Sequence, residues 1–401
     1  MNIVGIIAEY NPMHNGHVYN IKKAKELSNA DYTIVIMSGS FTEQGNICTI
    51  DKFNRAALAI ENGADLVIEL PTIYATSSSE NFARGAVTIL NSLNVVTHLA
   101  FGAESDNIEY LNNVAKTYVE NEKNILLDIK KEMKKGINSG TAYSNVMSKY
   151  TNENIAYIFK PNNILGIEYL KTLLQIKSDI KPVLIHRLES THNSEIVPLN
   201  SVYASSTSIR NVLNSSLNID EKLSEIKDVI PDNTYNILKT YNYNTNEKIW
   251  NNLKYEITKI GINGLKKIQG IDEGIETRIY KECLISNSYE EFIFRVKSKR
   301  YTLSRIKRIC VNILLNITKE KYNKLSNVEY ARVLKVKESS SKLLSLISKH
   351  STIPVITKIT DETIDSFDSN IKESIILDIL ANNIANPNLI NIDYTNKIKQ
   401  P

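Results

Sequence analysis

The sequence predicts an α/β protein: a parallel, doubly wound sheet with helices on both faces, followed by a mainly α-helical C-terminal region. Three observations predict it. Short β-branched apolar runs alternate with stretches of helical spacing through residues 3–101, the pattern of strand–helix–strand units. Gly or Pro marks the strand exits, at Asn11-Pro12, Ser38-Gly39, Leu70-Pro71 and Phe101-Gly102. After about residue 216 strand signals give way to successive helical periodicities.

In order, Ile3–Ala8 reads as a first strand, apolar throughout as a strand covered on both faces must be. Val18–Leu27 follows as an amphipathic helix and Tyr32–Met37 as a second strand. Lys52–Glu61 is the next helix, Asp65–Leu70 the third strand, Asn81–Leu93 a helix and Val95–Phe101 the fourth strand. Residues 107–180 read as helices with a break at Gly136–Gly140. Pro182–His186 is one more buried strand, and Ser205–Leu213 a capped helix. Beyond it helical spacing recurs over Val229–Leu238, Glu247–Ile260, Leu265–Ile268, Tyr289–Val296 and Ser304–Ile317. It continues over Tyr330–Leu334, Ser340–Ile347 and Asp361–Ala385. Ile353–Ile356 reads as a short strand that Pro354 confines to an edge. The boundary between the two parts is placed at residue 215, giving units 1–215 and 216–401.

With 401 residues, 42% hydrophobic and 23% charged, the chain is not a wholly disordered one. No apolar run approaches the roughly 20 residues of a membrane span, so no membrane partner is expected. Met1-Asn2-Ile3-Val4-Gly5 lacks a basic flank and reads as a strand, not a signal peptide. Cys48, Cys283 and Cys310 are odd in number and far apart, which fits neither a disulfide framework nor a metal knuckle and points to a reducing cytoplasm. The net charge of +4 hides an asymmetry: residues 1–200 carry 18 Lys and Arg against 21 Asp and Glu, residues 201–401 carry 30 against 23. A near-neutral front and a basic rear suggest small-molecule chemistry ahead of a held polyanion.

Two constellations carry chemistry. Glu9-Tyr10-Asn11-Pro12-Met13-His14-Asn15-Gly16-His17 leaves the first strand and opens the first helix. There, unpaired backbone N–H groups and the helix dipole face a ligand and favour phosphate. His14 and His17 can donate to phosphate oxygens as charge grows on them, and Gly16 lets the ligand approach. The second is Ala204-Ser205-Ser206-Thr207-Ser208-Ile209-Arg210. Ser205 or Ser206 can cap a helix whose N-terminus faces an anion, and Arg210 supplies a charged fork one turn on. A third, basic stretch holds Arg295, Lys297, Lys299, Arg300, Arg305, Lys307 and Arg308 around Tyr301, with no acid from Phe292 to Thr318. It reads as an RNA-phosphate track on which Tyr301 stacks a base. His98, His192 and His350 have no partner at suggestive spacing, and His186 beside Arg187 is left open between ligand contact and surface.

The His-x-Gly-His turn together with the late Ser-Ser-Thr-x-Ile-Arg resembles the paired signature of the HIGH-type nucleotidyltransferase superfamily. Further segments are similar to one family within it, the tRNA(Met) cytidine acetate ligases: Gly5–His17, Met37-Ser38-Gly39, Gly63–Pro71, Phe82–Gly85 and Phe101–Glu104. So are Lys160–Tyr169, His186-Arg187, Tyr330–Leu334 and Ile353–Lys358. The resemblance spans essentially the whole chain. It implies a Rossmann-like nucleotidyltransferase domain and an ATP-dependent ligase that forms acetyl-adenylate from acetate. The acetyl group then passes to the exocyclic amine of the wobble cytidine in elongator methionine tRNA.

It further implies His14 and His17 as catalytic, and ATP contacts along Ile7, Ala8, Glu9, Tyr10, Asn11, Pro12, Met13, His14, Asn15, Gly16, His17, Val18, Tyr19 and Asn20. Gly102, beneath the adenine, Asn162 and Arg187 are further contacts, with Ser205, Ser206 and Arg210 on the β/γ side. Mg²⁺ is expected to enter with the triphosphate; no metal ligand and no protein partner is named. One departure stands out: where the family usually has Arg, this chain has Gln44. Two other readings stay open, a small-molecule adenylyltransferase of the same superfamily and a non-catalytic RNA-binding protein.

Overall fold

The computed structural model describes residues 1–151, 160–186, 195–198, 200–272 and 274–396. Within them seven strands form one sheet: β1 (Ile3–Ala8), β2 (Tyr32–Ser38), β3 (Leu66–Leu70), β4 (His98–Ala103), β5 (Lys181–His186), β6 (Ala331–Val336) and β7 (Val355–Ile356). Their order is β5-β4-β1-β2-β3-β6-β7. The first five are mutually parallel, with Val4 opposite Thr33 on one side and His98 on the other. Alternation along each strand feeds two cores. Ile34, Ile36, Leu66 and Ile68 enter one, and Val35, Met37 and Val67 enter the other, as a pleat with period two requires.

Helices close both faces. Ser79–Ser92, Ile108–Met133 and Pro161–Gln175 supply Phe82, Leu111 and Ile167 to the first core. Asn15–Leu27, Lys52–Glu61 and Ser206–Leu213 supply Ile21, Ala56 and Ile209 to the second. The chain moves outward through β1, β2 and β3, then returns to the far side of β1 with β4. The strand order therefore switches between β1 and β4, the place where such sheets bind ligands.

Two expectations are overturned. Leu265–Ile268 is not a helix of its own: Leu265 ends the helix Trp250–Leu265, and Ile268 forms an isolated bridge to Thr318. Tyr330–Leu334 is not helical; Ala331–Val336 is strand β6, antiparallel to β3. So short an apolar run has no periodicity to tell helix from strand, and here the open edge of β3 decides. Ile353–Ile356 does supply an edge strand, shortened to Val355–Ile356, and Pro354 contributes only its carbonyl, which accepts from the Ala331 N–H at 2.9 Å. The helices Trp250–Leu265, Ile275–Ile285, Tyr289–Val296 and Leu303–Leu314 dominate the stretch before β6, and their Leu253, Cys283, Phe292 and Ile306 belong to the same continuous core as one face of the sheet.

A buried square of alternating charge ties the last helix, Ile392–Thr395, to the sheet. Lys52 Nζ lies 2.7 Å from both Glu69 and Asp393, and Arg332 lies 3.2 Å from Glu69 and 2.6 Å from Asp393. All four side chains are nearly inaccessible. Opposite charges packed this way avoid the cost of an isolated buried ion. Among the described residues no helix is long and apolar enough to cross a membrane, and all three cysteines are buried free thiols.

Candidate active site

At the switch point the exits of β1, β4 and β5 open into a cleft of about 380 Å³. Its floor is Ile6, Ile7 and Ala8 of β1 with Ala100, Phe101 and Gly102 of β4, and Ile185 and His186 of β5 stand beside them. The loop that follows β1 holds its shape through several contacts. Tyr10 sits in the left-handed region (φ 48°), and the Asn11–Pro12 peptide is cis. Asn11 Oδ1 accepts from the Thr49 N–H at 2.7 Å.

The two histidines then cap the first helix in a reciprocal pair. His14 Nδ1 accepts from the Gly16 N–H at 3.1 Å, and His17 Nδ1 accepts from the His14 N–H at 3.3 Å. Because each Nδ1 accepts, a neutral ring carries its proton on Nε2. The rings stack with centroids 3.7 Å apart, and Tyr10 meets His17 edge-on at 5.0 Å. Gly16 is required here: a Cβ would fall 2.9 Å from His14 Cε1. Both histidines line the cleft, as do Gly16, Tyr19 and Asn20.

The serine-led helix arrives from the other side. Ser205 caps it, accepting from the Ser208 N–H at 2.9 Å. Arg210 donates at 2.7 Å to the carbonyl of Asn11 and at 3.1 Å to Thr207 Oγ1. The two motifs therefore meet. Burial lowers the Arg210 pKa, with the Glu9 charge opposing. Burial raises the Glu9 carboxyl, against which the Glu43 N–H and the Arg210 and Arg55 charges pull.

Asn162 also lines the cleft and donates to Glu104 Oε1 at 2.5 Å. Its neighbour Asn163 accepts from the N–H groups of Glu104 and Ser105 at 3.0 and 2.9 Å, which fastens the β4 exit to a helix start.

Of the expected contacts, Ile7, Ala8, Glu9, Tyr10, Asn11, His14, Gly16, His17, Tyr19, Asn20, Gly102, Asn162, Ser205, Ser206 and Arg210 share this one cleft. Four do not line it. Pro12 and Met13 are buried, and Val18 packs on the second core. Asn15 donates to the carbonyls of Val202 and Asp228 at 3.1 and 3.0 Å. A loop that caps a helix must turn some side chains inward, so consecutive residues cannot all face the ligand. Arg187 and His192 lie outside the described residues.

Sequence reasoning missed several lining residues: Thr42, Glu43 and Asn46 of the β2 exit loop, and Phe82, Leu165, Tyr169 and Tyr203. It also missed Arg55, fully buried under the loops. Its guanidinium donates to the carbonyls of Ile50 (2.9 Å), Glu9 (2.7 Å), Ser38 (3.0 Å) and Gly39, holding the exits of β1 and β2 together. A lone Arg on a helix gives no sign of this.

The basic stretch is divided by the fold. Arg308 donates to the Glu43 carbonyl and carboxylate, both at 3.1 Å, and Lys307 to Asn46 Oδ1 at 2.7 Å. Arg305 lies over the Tyr301 ring at 4.0 Å and 3.5 Å from Asp272. Arg295 pairs with Glu291 at 2.9 Å. Tyr301 is only 4% exposed, and its hydroxyl donates to the Asp272 carbonyl at 2.5 Å. The expectation that Tyr301 stacks a base is therefore corrected, and Lys307 and Arg308 are tied to the loop at the β2 exit. Lys297, Lys299 and Arg300 are exposed just beyond the helix Tyr289–Val296, beside a Phe294 that is 75% exposed.

Comparison with known proteins agrees with this geometry. The family model HIGH Nucleotidyl Transferase matches residues 1–400. A tRNA(Met) cytidine acetate ligase from Clostridium botulinum (strain Kyoto / Type A2) is 39% identical over 98% of this chain and 97% of its own length. One from Clostridium perfringens is 38% identical over 98% of each. The crystal structure of Thermotoga maritima TmcAL bound with alpha-thio ATP superposes with a TM-score of 0.87 at 32% identity, covering 96% of this chain and 94% of that one. The apo form of the same protein gives 0.88 at 31%. With its HIGH turn and serine-led helix closed on one cleft at the sheet's switch point, the chain belongs to the tRNA(Met) cytidine acetate ligase family of HIGH nucleotidyltransferases.

Proposed function

We propose that the protein joins acetate to ATP, releasing pyrophosphate, and passes the acetyl group to the exocyclic amine of the wobble cytidine of elongator tRNA(Met). The product is N4-acetylcytidine. The observation that carries this reading is the hydrogen bond from Arg210 to the Asn11 carbonyl, which brings the serine-led helix against the histidine turn.

Acetate is a stable carboxylate, and the cytidine amine is a weak nucleophile because its lone pair is delocalised. In the first step an acetate oxygen bonds to the α-phosphorus, and the bond to the bridging oxygen breaks as pyrophosphate leaves. In the second, the cytidine nitrogen bonds to the acyl carbon, AMP leaves and the nitrogen loses a proton. No enzyme nucleophile is needed; positioning and charge stabilisation suffice. His14 and His17 donate from Nε2 to phosphate oxygens, and Arg210 and the N–H groups at Ser205 and Ser206 face the β/γ end. Gly102 leaves room for the adenine ring. Mg²⁺ enters as part of the ATP substrate, held by triphosphate oxygens. Among the described residues there is no group of three His, Cys, Asp or Glu placed to cage it.

Acetate-dependent exchange of pyrophosphate into ATP, without tRNA, is the direct test. The expected result is exchange with acetate and none without it. Exchange that needs a phosphorylated metabolite instead would replace this reading with an adenylyltransferase.

We assign the tRNA to the basic region beyond residue 215, with Lys297, Lys299 and Arg300 on phosphates and the exposed Phe294 against a base. Neutralising the three cations together is expected to raise the KM for tRNA and to flatten its log–log salt dependence by about two units or more. Phe294→Ala should raise that KM without changing the slope. Acetate-dependent exchange should survive in both. An unchanged tRNA salt slope in the triple variant would move the RNA surface elsewhere. A tRNA substrate and reduced, buried thiols fit a cytoplasmic enzyme.

A further inference from the structure

We propose that Arg308 is a positioning residue of the nucleotide cleft, holding the Ser40–Ile47 loop in place as one of its walls. The inference rests on the adenylation reading above and adds a part to it.

The loop leaves β2 and closes on itself, with the Thr42 N–H on the Asn46 carbonyl at 2.9 Å and the Gly45 N–H on the Thr42 carbonyl at 2.8 Å. Thr42, Glu43, Gln44 and Asn46 line the cleft, whereas Arg308 does not. Its hold on the loop comes from the other half of the chain and is made at three places. Arg308 clamps both the carbonyl and the carboxylate of Glu43 at 3.1 Å. Lys307 reaches Asn46 Oδ1 at 2.7 Å. Between them Gly45, at φ +76°, lies so close that a Cβ would fall 2.5 Å from the Arg308 nitrogen. Only glycine permits that approach.

The hold continues toward the chemistry. With its side chain fixed by Arg308 and by Ser79 Oγ at 3.2 Å, Glu43 presents its backbone N–H to Glu9 Oε1 at 2.6 Å. Glu9 is at the β1 exit, in the same cleft, and its charge is felt by Arg210. Removing Arg308 leaves the Glu43 carboxylate, which burial already disfavours as an anion, with Ser79 as its remaining side-chain donor among the described contacts. Such a carboxylate turns toward water and takes its own N–H off Glu9.

The test compares wild type, Arg308→Ala, Arg308→Lys, Glu43→Gln and the double variant Arg308→Ala/Glu43→Gln in acetate-dependent pyrophosphate exchange. Thermal unfolding and tRNA binding are measured alongside. Arg308→Ala is expected to lower kcat for exchange roughly 10- to 100-fold, with a smaller change in the KM for ATP. Arg308→Lys should restore most of it, and the double variant should be no worse than the worse single one. tRNA affinity and its salt slope should stay as in wild type. Exchange within twofold of wild type in Arg308→Ala, additive losses in the double variant, or loss of tRNA affinity with intact exchange would each overturn the inference. Should Arg308→Ala not fold, Glu43→Gln and Arg308→Lys decide: wild-type exchange in Glu43→Gln overturns it. Absence of acetate-dependent exchange in wild type itself would instead sink the adenylation reading.

Discussion

His17→Ala is expected to reduce acetate-dependent pyrophosphate exchange roughly 100- to 1000-fold, the usual effect of losing a preorganised donor to developing charge. The geometry behind this is the reciprocal cap. Because His17 Nδ1 accepts from the His14 N–H, the helix cap restrains the orientation of the ring. The His14 ring stacked at 3.7 Å restrains it further. The folded state should lose only about 1 kcal/mol, that of a missing N-cap contact, so a thermal melt separates chemistry from stability. His14→Ala should behave alike, with a larger stability loss because His14 is itself the N-cap residue. If His17→Ala retained exchange within fivefold of wild type, the donor role would be wrong even though the cleft is real.

Asp393→Ala is expected to destabilise the protein by about 3 kcal/mol or more in urea unfolding, because among the described ion pairs it leaves Lys52 and Arg332 only Glu69 to share in a site closed to water. Asp393→Asn keeps the shape and loses the charge, so it should cost nearly as much. Burial pushes the Asp393 carboxyl up, but Lys52 and Arg332 outweigh it and hold its pKa below the ordinary value. Its contribution is therefore present at neutral pH and lost only in acid, as pH falls through that lowered pKa. The penalty of Asp393→Ala should accordingly shrink below about pH 4. A cost under about 1 kcal/mol at neutral pH would mean that the charged square does not bear on folding.

The front sheet was legible because its chemistry is local. A strand covered on both faces must be largely apolar, and β1 is so throughout and β2 from Ile34 to Met37. The two motifs that meet at the cleft were legible for the same reason: a turn after a strand and a capped helix advertise their N–H groups wherever they stand. What was hidden depends on distant partners. β6 reads as helix or strand until β3 offers it an edge. Arg55 finds carbonyls from several loops that no spacing connects to it. The acid-free run from Phe292 to Thr318 looked like a free cationic track, yet Glu43 and Asp272 are folded onto it from elsewhere. Tyr301 and Phe294 exchange places for a similar reason: burial follows the helix packing, and the sequence shows only that both are aromatic.

Strand β6 also has a bearing on how the chain is made. During synthesis β3 emerges early, and its outer edge has no neighbour until Ala331–Val336 has left the ribosome. Throughout that interval a row of unpaired backbone groups is available to any other extended chain. The nascent protein is therefore exposed to mispairing while its His14–His17 turn has long been synthesised, and a stalled or truncated product carries an adhesive border that the finished enzyme conceals.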